Sequence, residues 1–445
     1  MKIVKPTILI IVGISGDLSK RKLLPAISQM AASGVLPENF RVVGITRQTG
    51  IDVNSLTSQT ENAQYLKEHL ELFTMDLLSS ADYEKLAVHL EEIEKDFKSP
   101  AQRLFYLSIP PQVSHPIVEL IGTSSLIKVA DTKLLLEKPF GVDLASATEL
   151  ADHIDKYFKT EQVYRIDHYL AKETVQNLLV FREDNSLFKR TWNQNFIEKI
   201  EIIASESIGI AGRKDFYEQT GALRDLIQSH LLQLTALTLM SPCSHDRLGE
   251  VPTCRLEALK NLYIPADELI TDYVKRGQYS GYQDEVSNSS STVETFVSLT
   301  LLSHDPKWAG VPIILTTGKS LAEKFTGVKI SYKKEKDNEA NELILKLQPD
   351  EGVELSLWTK SPGYEYELTK KSLKFNFAEH YTKLPEAYEQ VLFNAINSDH
   401  SLFASSEEVL ETWRILNMVQ KSWEMSANDL IYYEPGSTIT SVLNL

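Results

Sequence analysis

At 445 residues, 42% apolar and 24% charged, the chain has the make-up of a soluble globular protein too long for one core, so two domains are expected. Its net charge of −15 argues against nucleic acid or an anionic membrane as partner. Any phosphorylated ligand must therefore be met by locally clustered Lys, Arg and His. Cys243 and Cys254 form neither a disulfide framework nor a metal-ligand pattern and read as reduced thiols of a cytoplasmic protein. Lys2 and Lys5 before Ile8–Val12 imitate a secretion signal. The apolar run is short, however, and leads into Asp17, Lys20, Arg21 and Lys22, so it reads as a buried strand. No run is long enough to span a bilayer.

From Thr7 to Thr174, strands at 8–12, 41–45, 103–109, 133–136 and 162–166 alternate with helices at 18–32, 81–97, 112–122 and 144–158. The stretch 51–72 is polar at first and then helical in character. Such alternation predicts a doubly wound parallel sheet covered on both faces. Beyond Thr174 the helices 222–240 and 253–259 are mixed with strands at 199–204, 293–302, 311–316, 343–347 and 353–358. Alternation such as Val353-Glu354-Leu355-Ser356-Leu357 suits an antiparallel sheet with one wet face. The stretch 278–291 reads as a loop, and helices at 385–396 and 406–423 close the chain. The expected architecture is a Rossmann-like α/β domain, residues 1–173, followed by a larger α+β domain, residues 174–445, with a mostly antiparallel sheet.

Gly13-Ile14-Ser15-Gly16-Asp17-Leu18 follows the first strand and opens the first helix, the context of a dinucleotide-binding turn, although it departs from Gly-x-Gly-x-x-Gly. The second strand ends in Thr46-Arg47 instead of the acid that holds an NAD ribose, which favours NADP with NAD as a secondary coenzyme. Lys138, between a buried strand and Pro139, projects from the carboxyl edge of the sheet. In Arg165–Glu173, a strand ending at Asp167 and a helix starting near Ala171 put Asp167, His168, Tyr169 and Lys172 on one rim. That is a cradle for phosphate, or else a structural helix start with solvated charges. Among ten histidines, His230 on an amphipathic helix is the candidate base, against the alternative of a satisfied semi-buried histidine. Asp225 lies five residues before it, so the two are not an i,i+4 pair but could overlook one pocket.

The stretch Arg165-Ile166-Asp167-His168-Tyr169-Leu170-Ala171-Lys172-Glu173 resembles the active-site signature of the glucose-6-phosphate dehydrogenases, with Ala171 in place of their Gly. Ala171 is read as taking an ordinary helical backbone. The Gly13–Leu18 turn, Glu137-Lys138-Pro139 and Arg224-Asp225…His230-Leu231-Leu232-Gln233 are similar to motifs of the same family, and the resemblance runs from Thr7 to Glu434. It implies that Gly13, Ser15, Gly16, Asp17, Leu18, Lys22 and Arg47 bind coenzyme and that Lys138 bridges coenzyme and sugar. His230 would be the general base and Asp167 its partner. His168, Tyr169 and Lys172 would hold the substrate phosphate, with Glu206, Asp225, Lys319, Lys324 and Gln348 as further sugar contacts. Ser207 replaces the family's usual Pro, and Lys324 stands where many members have Arg. The implied activity is NADP-dependent oxidation of glucose 6-phosphate at C1 by a homodimer needing no metal, the first step of the oxidative pentose phosphate pathway. Two other readings stay open. One is a glucose–fructose oxidoreductase-like dehydrogenase of an unphosphorylated sugar, and the other is a catalytically silent NADP-binding paralogue.

Overall fold

A computed structural model describes residues 5–110, 113–128, 131–241, 249–265, 270–334, 339–380 and 384–445. The chain forms two compact units. The first comprises Met1–Gly141, Ala145–Ala171 and Pro385–Ser406, and the second Val142–Leu144, Lys172–Leu384 and Glu407–Leu445. Each unit is thus assembled from separated stretches of chain.

In the first unit β1 (Thr7–Val12), β2 (Phe40–Thr46), β3 (Leu70–Thr74), β4 (Gln102–Leu107), β5 (Thr132–Leu136) and β6 (Val163–Ile166) are parallel and ordered β6-β5-β4-β1-β2-β3. This is the doubly wound order, with its topological switch between β1 and β4. Runs such as Ile8–Val12 and Leu134–Leu136 are apolar throughout because helices cover both faces. The expected strands and helices are all present. β3 was not foreseen. The helix Gln64–His69 passes directly into it at Leu70 with no Gly or Pro to mark the change.

Residues 385–406 return to this unit through core packing, strand pairing and a buried cation. On the helix Ala387–Ile396, Val391, Leu392, Ala395 and Ile396 join the core of Leu24, Ile27 and Phe40, and Phe403–Ala404 pairs antiparallel with β6. At the far end of that helix Lys133 Nζ donates to Ala395 O at 2.6 Å, Gln102 Oε1 at 2.7 Å and Ser398 Oγ at 2.8 Å. A cation at a helix C-terminus is favourable, yet burial pulls this ammonium down to about 8.

In the second unit the sheet runs β15-β14-β13-β12-β7-β11-β10-β9 and ends on Leu430–Tyr433. Its members are β7 (Ile197–Ser205), β8 (Leu262–Tyr263), β9 (Val274–Tyr279), β10 (Phe296–Ser303), β11 (Ile313–Gly318), β12 (Phe325–Tyr332), β13 (Glu342–Gln348), β14 (Gly352–Lys360) and β15 (Leu368–Asn376), with β8 pairing β10 off the main path. Pairing is antiparallel except for β7 with β11 and β9 with Leu430–Tyr433. The mostly antiparallel expectation holds. Two readings need correction. The stretch 278–291 is no plain loop, because β9 extends to Tyr279 and Tyr282–Val286 is helical, fixed by the buried Tyr282 donating to Glu218 Oε1 at 2.7 Å. Cys254 is disulfide-bonded and not a free thiol, while Cys243 lies outside the described residues.

Replacing Lys133 with Ala leaves the carbonyl of Ala395 and the amide oxygen of Gln102 buried without this donor. We expect a loss of about 2–4 kcal/mol in chemical denaturation. Hydrogen exchange in 387–396 should accelerate more than in β1.

Candidate active site

Immediately after β1, Gly13 takes φ +91°, and a Cβ there would stand 2.3 Å from Ser108 O. Only glycine fits, because the turn presses against the chain leaving β4. Gly16 N donates to Gly13 O at 3.0 Å, and Ser19 Oγ donates to Gly13 O at 3.1 Å and is hydrogen-bonded with Ser108 Oγ at 3.0 Å. The turn is thereby pinned across the switch point. Ser15 belongs to it, and Leu18 packs on the core. Asp17 is exposed and pairs with Arg21 at 3.5 Å, a contact worth little in water. Lys22 is exposed and meets Glu386 at 3.3 Å. At the end of β2, Thr46 is buried and Arg47 is exposed, with no acid at either position.

Parallel pairing brings the ends of β4, β5 and β6 to the same rim. There the Tyr106 hydroxyl donates to Glu137 Oε1 in a short hydrogen bond. Burial raises the Glu137 carboxyl above its usual range, opposed by hydrogen bonds from Tyr106 and Tyr388 and by the charge of Lys138. Asp167 is buried. Its Oδ1 accepts from Tyr169 N at 2.9 Å, and its carbonyl accepts from Leu170 N at 3.1 Å, forming a tight turn. The His168 ring is edge-on to Tyr169 at 5.0 Å and parallel to Tyr388 at 6.4 Å, with an interplanar angle of 11°. Ala171 does not take a positive φ, and its methyl lies in the core, so the exchange for glycine is unstrained.

In the second unit Lys172 is the residue before the helix Glu173–Asp184, which begins two residues later than expected. Thr174 N and its hydroxyl donate to Glu351 Oε2 at 3.0 and 2.8 Å, so the protein's own carboxylate takes that helix-start N–H. Lys172 Nζ reaches Leu347 O at 3.4 Å, next to Gln348.

Asp225 and His230 are both buried, on a π-helical segment, Leu223–Leu231. Such a segment closes on i→i+5 hydrogen bonds, so residues five apart fall on one face, a relation the ordinary helical period does not give. β7 and β11 are parallel, with Ser205 opposite Gly318, so Glu206 and Lys319 follow side by side and form an ion pair. Lys319 Nζ also lies 5.5 Å from the centre of the Tyr217 ring. Tyr217 was not foreseen. It is fully buried, its hydroxyl has no partner among the described residues, and burial drives its pKa well up. Lys324 is exposed, and Gln348 sits opposite Thr326. A cavity of about 840 Å³ in this unit, lined by Phe188, Tyr332 and Trp358 among others, includes none of the predicted residues.

A glycine turn at the switch point of a doubly wound sheet, with cations and carboxylates at neighbouring strand ends, defines a dinucleotide-binding protein. Comparison with known proteins makes this specific. "Glucose-6-phosphate dehydrogenase, NAD binding domain" matches residues 10–177, and "Glucose-6-phosphate dehydrogenase, C-terminal domain" matches residues 179–442. The chain belongs to the glucose-6-phosphate dehydrogenase family. The glucose-6-phosphate 1-dehydrogenase of Chlamydia muridarum (strain MoPn / Nigg) is 36% identical, covering 94% of this chain and 90% of that protein. That of Bacillus subtilis (strain 168) is 32% identical, covering 97% of this chain and 94% of that protein. A solved glucose-6-phosphate dehydrogenase in complex with its substrate glucose-6-phosphate superposes with a TM-score of 0.92 at 27% identity, covering 100% of this chain and 98% of that one.

Gly13→Ala should cost about 1–3 kcal/mol through its left-handed backbone and the clash with Ser108 O. It should weaken dinucleotide binding roughly tenfold or more, read by fluorescence titration beside a melting curve.

Proposed function

We propose that the chain is an NADP-dependent glucose-6-phosphate 1-dehydrogenase, oxidising the sugar at C1 to 6-phosphoglucono-1,5-lactone. The observation that supports this most strongly is family membership in both halves together with an intact set of Lys138, Asp167, Lys172 and His230. The Gly13 turn and the acid-free end of β2 fit a dinucleotide with a 2′-phosphate, which Arg47 and Thr46 would contact, with Lys22 and Lys138 farther along. When bound, that coenzyme supplies the hydride acceptor.

His230 would take the proton of the C1 hydroxyl as the hydride leaves, and Asp167 would hold the imidazole tautomer and balance its new charge. His168, Tyr169 and Lys172 would bind the phosphate, so that binding energy at C6 orients C1. Glu206, Asp225, Lys319, Lys324 and Gln348 would meet the sugar hydroxyls. The Glu206–Lys319 pair is suited to this because each partner holds the other in a fixed direction. On this reading the chain acts in the cytoplasm in the oxidative pentose phosphate pathway. It would pair as a homodimer through its open sheet, whose edge strand β15 exposes Leu373 and Phe375.

The direct test follows NADPH absorbance with glucose 6-phosphate as substrate. His230→Asn should lower kcat by roughly 10²–10⁴ while coenzyme binding persists. Near-normal turnover would remove His230 as base. Arg47→Ala should weaken NADP far more than NAD, and equal losses would show that Arg47 does not read the 2′-phosphate.

A further inference from the structure

The stretch 385–406 does more in the first unit than complete its core. Its first turn reaches two motifs of the coenzyme-and-signature rim. Tyr388 hydrogen-bonds the Glu137 carboxylate beside Lys138, and its ring lies parallel to His168. Nearby, Glu386 meets Lys22 on the helix that follows the glycine turn. Glu137 receives a second phenol from Tyr106, itself buried in β4. A carboxylate with two phenol donors is fixed in orientation, and each charged hydrogen bond is worth more than a neutral one.

We propose that Tyr388 is a positioning residue for the reaction. With Tyr106 it clamps the Glu137 carboxylate next to Lys138, and its ring braces His168, so one side chain from the chain's last quarter sets two strand ends together. This rests on the function proposed above. Tyr388 lies outside every motif of the rim, about 220 residues from His168 and about 250 from Glu137 in sequence. Four groups face Glu137: Tyr106 from β4, Lys138 on its own strand end, Asp167 beyond β6, and Tyr388. The two phenols and the Lys138 charge favour the ionised carboxylate, whereas burial and Asp167 oppose it. Removing one phenol therefore raises the pH at which Glu137 becomes charged. If its charge helps to hold Lys138, the acidic limb of the kcat profile moves the same way.

The experiment compares the full-length wild type with Tyr388→Phe, Tyr106→Phe and Tyr388→Ala in the NADPH assay across the pH range of stability. Melting curves and NADP titrations of each variant separate misfolding from mispositioning. Tyr388→Phe should fold and bind NADP like the wild type but lose kcat by roughly tenfold, about one charged hydrogen bond. Its acidic limb should shift to higher pH, and Tyr106→Phe should shift it in the same direction. Tyr388→Ala, which also removes the ring from His168, should in addition raise KM for glucose 6-phosphate. If both Phe variants keep the wild-type kcat and a superimposable pH profile, the positioning role is overturned while the proposed function stands. A folded, NADP-binding wild type that makes no NADPH from glucose 6-phosphate overturns both.

Discussion

Parallel strand pairing is the constraint on which the chemistry of this chain depends. Adjacent parallel strands end at the same edge of a sheet, so residues just beyond them become neighbours however far apart they are in sequence. In the first unit this sets Gly13, Ser108, Glu137 and Asp167 along the ends of β1, β4, β5 and β6. The same device recurs in the mostly antiparallel second sheet. Because β7 and β11 run side by side in the same sense, Glu206 and Lys319 meet across 113 residues of sequence. An antiparallel pairing there would have put them at opposite ends.

The groups gathered in this way are costly to bury, and each has compensation close by. Glu137 is held by two tyrosines, Asp167 by a backbone N–H of its own turn, and Lys319 by Glu206 and the Tyr217 ring. Glu351 plays the corresponding part for the helix after the signature, occupying an N–H that sequence reasoning would leave to phosphate. The buried hydroxyl of Tyr217, beside the Glu206–Lys319 pair, lacks such compensation and has no hydrogen-bond partner among the described residues.

Much of this was legible in the sequence where periodicity and punctuation agree. Apolar runs gave β1, β2, β4, β5 and β6, and the glycine turn, Lys138 and Asp167 could be placed at strand ends from them. β15 was not legible because it is an edge strand carrying Lys370, Lys371 and Lys374, with too little burial to leave an apolar pattern. β3 was hidden by a helix that changes to strand without a breaker residue. The shared face of Asp225 and His230 follows from a π-helical backbone, which an ordinary helical count misplaces. The return of 385–406 to the first unit is a tertiary fact. Its helix looks like any amphipathic helix, and only its packing on Leu24 and Ile27 and the Lys133 hydrogen bonds reveal its destination.

Whether the rim and the second unit's polar groups serve a phosphorylated sugar is the central question. It is met most directly by initial rates of NADP reduction with glucose 6-phosphate and with glucose under identical conditions. Binding energy at a distant phosphate that is realised at the reacting carbon predicts kcat/KM at least about a hundredfold higher for the phosphate ester. Equal efficiency with the two sugars would contradict it.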